Sequence, residues 1–388
     1  MHDLFEYLYW RGDISFTVLG MADADHAVFC SLSYIPFDGI LDNCSLTRRS
    51  TRTGAEDQER QSGTDLNMAG QEDGFSDFME LDTAAGKVLS MNGNSGNGPR
   101  FHLEEDPGLL KSVMNTKRFG KIRVGCYVNI FNPEMQEQFC AMTFLLPGGD
   151  MVVAFRGTDG TIIGWKEDFN MGFMDELPSQ KDAVRYLNLM APRCKGRLYV
   201  CGHSKGGNLA MYGASFANKA VQDKIVAVRS LDGPGFKKQI TDKRGFCRML
   251  ERMETIMPQS SIVGVLLEHR EKTKVIHSFA KGSKQHILYS WSISGGEFTE
   301  EKGLSGSSIR ANKAINCWIE NMSDEDRMKL TDGIFKLLER TDVETLDELF
   351  EAKKLFVHMK KIGKMDKKTK ELIIETGRIM MNSGKRNR

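Results

Sequence analysis

The sequence predicts an α/β fold, in which a mostly parallel sheet is covered by helices on both faces. Between residues 101 and 308, short apolar segments that favour β-strands alternate with segments of helical periodicity. Such alternation is typical of parallel strands joined by helical crossovers. Residues 198–221 also predict a strand, a tight turn and a helix in direct succession.

Strands and helices can be predicted individually between residues 139 and 233. The segment FCAMTFLLPGGDMVVAFRG (139–157) predicts a hairpin of two buried strands, and SQKDAVRYLNLMA (179–191) predicts a helix. A strand is then expected at LYVCG (198–202), a helix at GNLAMYGASFANKAV (207–221) and a further strand at IVAVRSLDG (225–233).

Four regions differ in composition. Residues 1–44 carry apolar patches and are expected to form the N-terminal part of the domain whose core is residues 101–308. Residues 45–100 are rich in Gly, Ser, Asn and charge, which predicts a mobile insertion or a lid. Residues 309–388 predict a helical C-terminal region. There, one helical face is expected to carry Val343, Leu346, Leu349, Phe350, Phe356 and Met359.

Composition limits the classes of function and partner. The net charge of +1 gives no case for a nucleic-acid partner. We find no apolar span of 18 residues, no signal-peptide pattern, and eight scattered cysteines without a C-x-x-C pair. These features favour a reduced, cytoplasmic protein. The histidines form no metal-ligand pattern and the glycines no phosphate-binding loop, so we expect neither a metal nor a cofactor.

The turn at Gly202-His203-Ser204-Lys205-Gly206 is a G-x-S-x-G pattern. The pattern alone is weak, but a strand before it and a small-residue helix after it are the context of a nucleophile elbow. In such an elbow a sharp turn exposes the serine, and the glycines let strand and helix approach closely. Ser204 is therefore the candidate nucleophile; the alternative is a glycine-rich turn with an incidental serine.

A nucleophilic serine needs a histidine base and an acid that orients the base. In α/β-hydrolases both follow the serine in the chain. His286, between a glycine-containing loop and an aromatic segment, is favoured over His269 in a charged segment and His277 inside an expected strand. Asp232 ends a strand expected beside the elbow, and it could instead organise its own Asp-Gly-Pro-Gly turn. Glu268 and Glu271, in a strongly charged segment that we expect to be solvated, are the other candidate acids.

An oxyanion formed at Ser204 requires two hydrogen-bond donors. The backbone amide of Lys205, next to the nucleophile, is the first candidate. The second is Thr158, which follows an apolar strand and Arg156-Gly157 and could present both its amide and its hydroxyl. A strand-to-loop turn with a buried arginine is the alternative interpretation.

VVAFRGT…GWKEDF followed by VCGHSKGGNLA resembles the core of the class 3 lipases, which are α/β-hydrolases. The chain is still more similar to a mostly bacterial lipase-like family, over about residues 5–44 and 118–300. The motifs of that family correspond here to residues 7–16, 32–39, 155–171, 202–212, 232–236 and 285–291. The resemblance implies that Ser204 is the nucleophile, that Thr158 belongs to the oxyanion hole and that His286 is the catalytic histidine.

The sequence departs from the lipase pattern at the acid. Ser261 stands where these lipases carry an aspartate, so either Asp232 substitutes for it or the triad is degraded. Two functions therefore stay open. One is a serine esterase or lipase acting on an ester-containing small molecule or lipid. The other is a weak or inactive hydrolase-fold module that binds a protein or a membrane surface, with peripheral membrane contact through the basic residues 353–388.

Overall fold

The computed structural model describes residues 2–41, 78–95, 101–158 and 176–306, residues 167, 170, 171 and 174, and scattered positions from 308 to 375. The strands of the main sheet are β1 (Met79–Glu80), β2 (Arg123–Asn132), β3 (Glu137–Leu145), β4 (Met151–Phe155), β5 (Leu198–His203), β6 (Ile225–Leu231), β7 (Met253–Pro258) and β8 (Lys272–Ile276). A small hairpin adds β9 (Ile293–Ser294) and β10 (Glu297–Phe298).

Nine α-helices of four or more residues lie in the described residues up to position 306. They are α1 (Leu4–Arg11), α2 (Asp23–Leu32), α3 (Leu81–Ser95), α4 (Asp106–Met114), α5 (Pro178–Met190), α6 (Lys205–Phe216), α7 (Lys219–Lys224), α8 (Lys238–Thr241) and α9 (Arg244–Met249). The hairpin, the two further strands and the two helices predicted from the sequence correspond to β3, β4, β5, β6, α5 and α6. All six elements are present, but the helix predicted over 207–221 ends at Phe216, and Lys219–Lys224 form the separate helix α7.

The main sheet has eight strands in the order in which they occur in the chain. The first three pairings, from β1 to β4, are antiparallel, and the four from β4 to β8 are parallel. The predicted α/β class with a mostly parallel sheet is therefore confirmed. The carboxyl ends of β4, β5, β6 and β7 all meet at one edge of the sheet, where open α/β sheets bind their ligands.

Each face of the sheet is covered by its own apolar core. Because side chains alternate along a strand, Met151, Val153 and Phe155 of β4 belong to one core and Val152 and Ala154 to the other. Helices α5, α6 and α9 contribute to the first core, and α1 to α4 contribute to the second. The N-terminal helices α1 and α2 thus share an apolar core with the strands of the sheet.

A buried ion pair attaches the N-terminal helices to the rest of the fold. The guanidinium of Arg118 donates to both carboxylate oxygens of Asp25 on α2, at 2.8 and 2.5 Å, and both side chains are fully buried. Arg118 also donates to three backbone oxygens between residues 14 and 20. The segment that connects α1 with α2 is therefore held by a single arginine.

The prediction of an insertion over residues 45–100 is wrong at its C-terminal end, where residues 79–95 form a strand and a helix of the fold. Residues 79–80 pair with β2, and α3 buries Leu81, Ala84, Ala85 and Val88 in the core. These four positions follow the i, i+3, i+4, i+7 spacing of a helix, a signal hidden by the surrounding Gly, Ser and Asn residues. Residues 42–77 and 96–100 lie outside the described residues.

In the C-terminal region the described residues 308–310, 312–313 and 368–375 are helical. Lys368 pairs there with Asp326, and Ile373 is fully buried. The apolar face predicted between 343 and 359 and the final residues 376–388 lie outside the described residues. No helix in the described ranges is long and apolar enough to cross a membrane.

The described cysteines are all free thiols, and five of them are buried, as their positions in apolar segments predict. The buried ones are Cys30, Cys126, Cys140, Cys194 and Cys201, whereas Cys247 is partly exposed. Among the residues that the structure describes, no group of His, Cys, Asp and Glu side chains could hold a metal ion.

Replacement of Leu81 tests whether α3 belongs to the core. Because Leu81 is fully buried, Leu81→Ala should lower the free energy of unfolding by about 2–5 kcal/mol, as measured by denaturant titration. Lys87→Ala, at an exposed position of the same helix, should change it by no more than about 0.5 kcal/mol. Equal small effects of the two substitutions would contradict the assignment of α3 to the core.

Candidate active site

Ser204 occupies the turn between β5 and α6 in a strained backbone conformation. Its φ is +58° and its ψ is −131°, a region that a residue with a Cβ atom rarely adopts and that costs about 1–3 kcal/mol. The amide of Ser204 donates to the carbonyl oxygen of Leu231 at 2.9 Å, and its carbonyl accepts from the amide of Gly207 at 2.9 Å. The predicted succession of strand, tight turn and helix is present, with Ser204 at the turn.

The glycines on either side of Ser204 are required by close backbone contacts. A Cβ atom at Gly202 would lie 2.0 Å from the carbonyl oxygen of Gly206. A Cβ atom at Gly206 would lie 2.1 Å from the carbonyl oxygen of Phe155 at the end of β4. Both distances are shorter than any van der Waals contact. Helix α6 can therefore pack this closely under the two strands only where the sequence has glycine.

His286 and Asp232 are brought together at the carboxyl edge of the sheet. Nδ1 of His286 lies 2.6 Å from Oδ2 of Asp232. The carboxylate is buried, with Asp232 only 1% exposed, whereas the His286 side chain is 29% exposed. The imidazole of His286 packs against that of His203, the residue before Ser204, with ring centroids 4.4 Å apart. The expected hydrogen bond between Asp232 and His286 is present, next to the elbow.

Ser261 contacts the acid rather than replacing it. Its hydroxyl donates to Oδ1 of Asp232 at 2.5 Å, and the amide of Gly264 donates to the same oxygen at 3.1 Å. Asp232 therefore does not use its side chain to organise its own turn, which was the alternative. The position that is aspartate in the class 3 lipases carries a hydrogen-bond donor here.

The Asp-Gly-Pro-Gly turn is held by helix α6 instead. The side-chain amide of Asn208 donates to the carbonyl oxygens of Pro234 and Gly235, at 3.2 and 2.9 Å. Its Oδ1 accepts from Nε2 of Gln180 at 2.8 Å. Because Asn208 lies one turn after Ser204, these bonds connect the backbone that carries Asp232 to the elbow helix.

The segment around His286 is fixed by its two neighbours in the Q-H-x-x-x-S-W motif. The indole of the fully buried Trp291 donates to the carbonyl oxygen of Gln285 at 2.8 Å. Oε1 of Gln285 accepts from the amide of Ser260 at 2.8 Å, and Nε2 donates to the carbonyl oxygen of Ala280 at 3.0 Å. These bonds attach the segment that carries His286 to the chain that follows β7.

The charged segment around His269 is only partly the solvated surface that its composition predicts, because Glu268 and Arg270 are exposed whereas Glu271 is buried. Nδ1 of His269 lies 2.7 Å from Oε1 of the buried Glu271, and that oxygen also accepts from the hydroxyl of Thr255 at 2.6 Å. The contact with His269 helps to hold the pKa of Glu271 below its usual value against the effect of burial. The backbone of Glu268 pairs with Phe236. The segment is therefore a packed connection between β7 and β8.

The remaining alternative candidates are also engaged elsewhere. His277 directly follows β8, and its Nδ1 lies 2.8 Å from Oε1 of Glu301. The nearest carboxylates of His269 and His277 are thus Glu271 and Glu301. Of the three candidate histidines, only His286 contacts the candidate acid Asp232.

The candidate oxyanion donors flank Ser204. Lys205 is the first residue of α6, so its amide belongs to the donors at a helix N-terminus that have no partner within the helix. A Cβ atom at Gly157 would lie 3.0 Å from the Cβ of Ser204, so the chain after β4 passes directly beside the elbow. The partly exposed Thr158 is the next residue. Arg156 is buried, and its guanidinium donates to Oδ1 of Asn129 at 3.0 Å.

The side chain of Lys205 forms a buried ion pair that sequence reasoning missed. Its ammonium lies 2.8 Å from Oε2 of Glu167, and both side chains are fully buried. The same ammonium donates to the backbone oxygen and the side-chain Oε1 of Gln138 at 2.8 and 2.9 Å. Glu167 in turn accepts from the amides of Gln138 and Ser179. The residue after Ser204 is therefore anchored to β3 and to the start of α5. The sequence signal was a lysine inside an otherwise small and apolar segment.

The geometry defines an α/β protein with a serine in a strained strand-to-helix turn and a histidine–aspartate pair beside that turn. The family model described as Mbeg1-like matches residues 113–336, more than half of the chain. The chain belongs to the Mbeg1-like family. None of the curated proteins compared with the chain matches it.

Two of the similar solved structures are lipases. The crystal structure of M37 lipase has 18% identity and a TM-score of 0.33, over 48% of this chain and 68% of the lipase. The Rhizomucor miehei lipase propeptide complex (Ser95/Ile96 deletion mutant) has 12% identity and a TM-score of 0.31, over 51% of this chain and 67% of that one.

Removal of the charge on Lys205 should destabilise the fold. Lys205→Met leaves the carboxylate of Glu167 buried without its cation, so we expect a loss of about 3–5 kcal/mol in the free energy of unfolding. Lys219→Met, at an exposed position of α7, is the matched control and should be nearly neutral. If denaturant titration found the two variants equally stable, the buried pair would not hold the elbow.

Proposed function

We propose that this protein is a serine hydrolase of the lipase or esterase type, which cleaves a carboxylic ester. The observation that carries the proposal is the 2.6 Å contact between Asp232 and His286, located beside a serine in a strained turn at the start of a helix. Each of these features occurs in proteins for structural reasons. Their combination at the carboxyl edge of one sheet supports nucleophilic catalysis.

In the proposed mechanism, Asp232 fixes the tautomer of His286. Because a carboxylate only accepts hydrogen bonds, Nδ1 of His286 carries the proton and Nε2 keeps a lone pair. Nε2 takes the proton from the hydroxyl of Ser204 as Oγ attacks the ester carbonyl. The proton then passes to the leaving alcohol, and an acyl group stays on Ser204. A water molecule, activated by the same nitrogen, hydrolyses the acyl-enzyme.

The negative charge that develops on the carbonyl oxygen would be stabilised from two sides. One donor is the amide of Lys205, supported by the dipole of α6, and the other is Thr158 through its amide or hydroxyl. Donors that are fixed before the reaction stabilise the oxyanion without reorganisation. The buried ammonium of Lys205 therefore acts by holding the backbone in place, while its own charge is neutralised by Glu167.

The proposed substrate is an ester-containing small molecule or a lipid. The mechanism uses no metal and no cofactor, since nucleophile, base and acid are all side chains of this chain. Peripheral contact of the basic C-terminal residues with an anionic membrane surface would be compatible with a lipid substrate.

Substitution of the nucleophile tests the proposal directly. Ser204→Ala should abolish covalent labelling by a fluorophosphonate probe, which reacts with activated serines, and should abolish the enzymatic turnover of short p-nitrophenyl esters, which needs the nucleophile. Thermal unfolding should remain nearly unchanged. Ser230→Ala, a buried serine on the neighbouring strand, is the control and should still label. Labelling that persists in Ser204→Ala would assign the reactivity to another residue.

Substitution of the acid tests the triad. Asp232→Asn removes the charge that stabilises the imidazolium of His286, so the esterase kcat should fall by about 10³- to 10⁴-fold. The exposed Asp223→Asn is the matched control and should keep wild-type kcat. A correctly folded Asp232→Asn variant with undiminished turnover would show that Asp232 has only a structural role.

A further inference from the structure

The side chain of His203, inside the elbow, uses both ring nitrogens within the protein. Nε2 lies 2.8 Å from the backbone oxygen of His286, and Nδ1 lies 2.9 Å from the hydroxyl oxygen of Tyr34. Tyr34 comes from the N-terminal segment just after α2, 169 positions away from His203 in the chain. It lies outside the residues that match the family model.

The chemistry of these contacts determines the position of each hydrogen. The backbone oxygen of His286 can only accept, so Nε2 of His203 must carry a proton and donate it. Burial lowers the pKa of His203 well below its usual value, and the neighbouring His286 lowers it further. The ring is therefore neutral, and its Nδ1 has a lone pair that accepts the proton of the Tyr34 hydroxyl.

Tyr34 reaches this position because of the glycine after Arg156. A Cβ atom at Gly157 would lie 2.3 Å from the hydroxyl oxygen of Tyr34. The hydroxyl thus fills the space between the end of β4 and the elbow. It is located next to the same glycine that brings Thr158 beside Ser204.

We propose that Tyr34 and His203 are positioning residues for the candidate base, an inference that rests on the proposed ester hydrolysis. Tyr34 fixes the tautomer of His203, and His203 holds the backbone oxygen of His286. Asp232 fixes the side chain of His286, so the base is attached at both its backbone and its ring. In the other tautomer of His203, a lone pair would face the His286 oxygen and repel it.

Two pairs of variants test this role through turnover. Glutamine places an amide donor near the position of Nε2 of histidine, whereas asparagine places one near Nδ1. His203→Gln should therefore keep most of the kcat, and His203→Asn should lower it about a hundredfold with little change in KM. Tyr34→Phe should lower kcat about tenfold, the scale of one hydrogen bond. Tyr9→Phe, at an exposed position, is the control and should match the wild type.

A measurement that does not depend on hydrolysis accompanies the kinetics. Nitrogen-15 NMR of the protein labelled at histidine should show His203 protonated at Nε2 and not at Nδ1. In Tyr34→Phe the population of the opposite tautomer should rise. A purely structural role would lower thermal stability equally in the Gln and Asn variants and would not separate their kcat values.

The outcomes distinguish this inference from the function on which it rests. A wild-type protein that fluorophosphonate does not label contradicts the hydrolysis, and with it the positioning role. A labelled wild type whose His203→Asn and Tyr34→Phe variants keep full kcat contradicts the positioning role alone. A His203 ring protonated at Nδ1 in the wild type also overturns it.

Discussion

The candidate site depends on the burial of one carboxylate. A charged group that is removed from water is strongly destabilised unless hydrogen-bond donors surround it, and Asp232 is only 1% exposed. Its donors are the imidazole of His286, the hydroxyl of Ser261 and the amide of Gly264, which come from two loops that follow it in the chain. The hydrogen bonds that stabilise this charge therefore also hold the loop of His286 and the loop after β7 in place. The same bonds that satisfy the carboxylate place a histidine against His203, the residue before Ser204.

The topology of the sheet explains why the site lies where it does. Four parallel pairings bring the carboxyl ends of neighbouring strands to one edge, so residues that are far apart in the chain become neighbours. Ser204 follows β5, Asp232 follows β6, and Ser261 follows β7. The opposite side of the elbow is formed by the end of β4 and by the N-terminal segment with Tyr34. Buried polar contacts of Lys205 and Asn208 then fix the first turn of α6 against both neighbouring segments. The strained serine is held in place by a surrounding structure that leaves it little freedom.

Local sequence patterns were sufficient to predict the strands β3 to β6, the helices α5 and α6, and the tight turn at Ser204, because each depends on residues close in the chain. The pairing of Asp232 with His286 could be proposed from their positions after strands and loops. The ion pair of Lys205 with Glu167 joins residues 38 positions apart, and the contact of Tyr34 with His203 joins residues 169 positions apart. Because the periodicity of a sequence reflects only local structure, it predicts neither contact. Composition was misleading at two places. The polar residues around α3 concealed its apolar stripe, and the charges around His269 concealed its contact with the buried Glu271.

The most direct test of the central claim is a crystal structure of the protein after reaction with a phosphonate ester, which resembles the tetrahedral intermediate. We expect phosphorus bonded to Oγ of Ser204, with a phosphonyl oxygen about 2.7–3.1 Å from the amide of Lys205 and within reach of Thr158. Nδ1 of His286 should still contact Asp232, while Nε2 should face the adduct. An adduct on any other residue would contradict the account. So would an adduct on Ser204 whose oxygen points to solvent while His286 has turned away from Asp232.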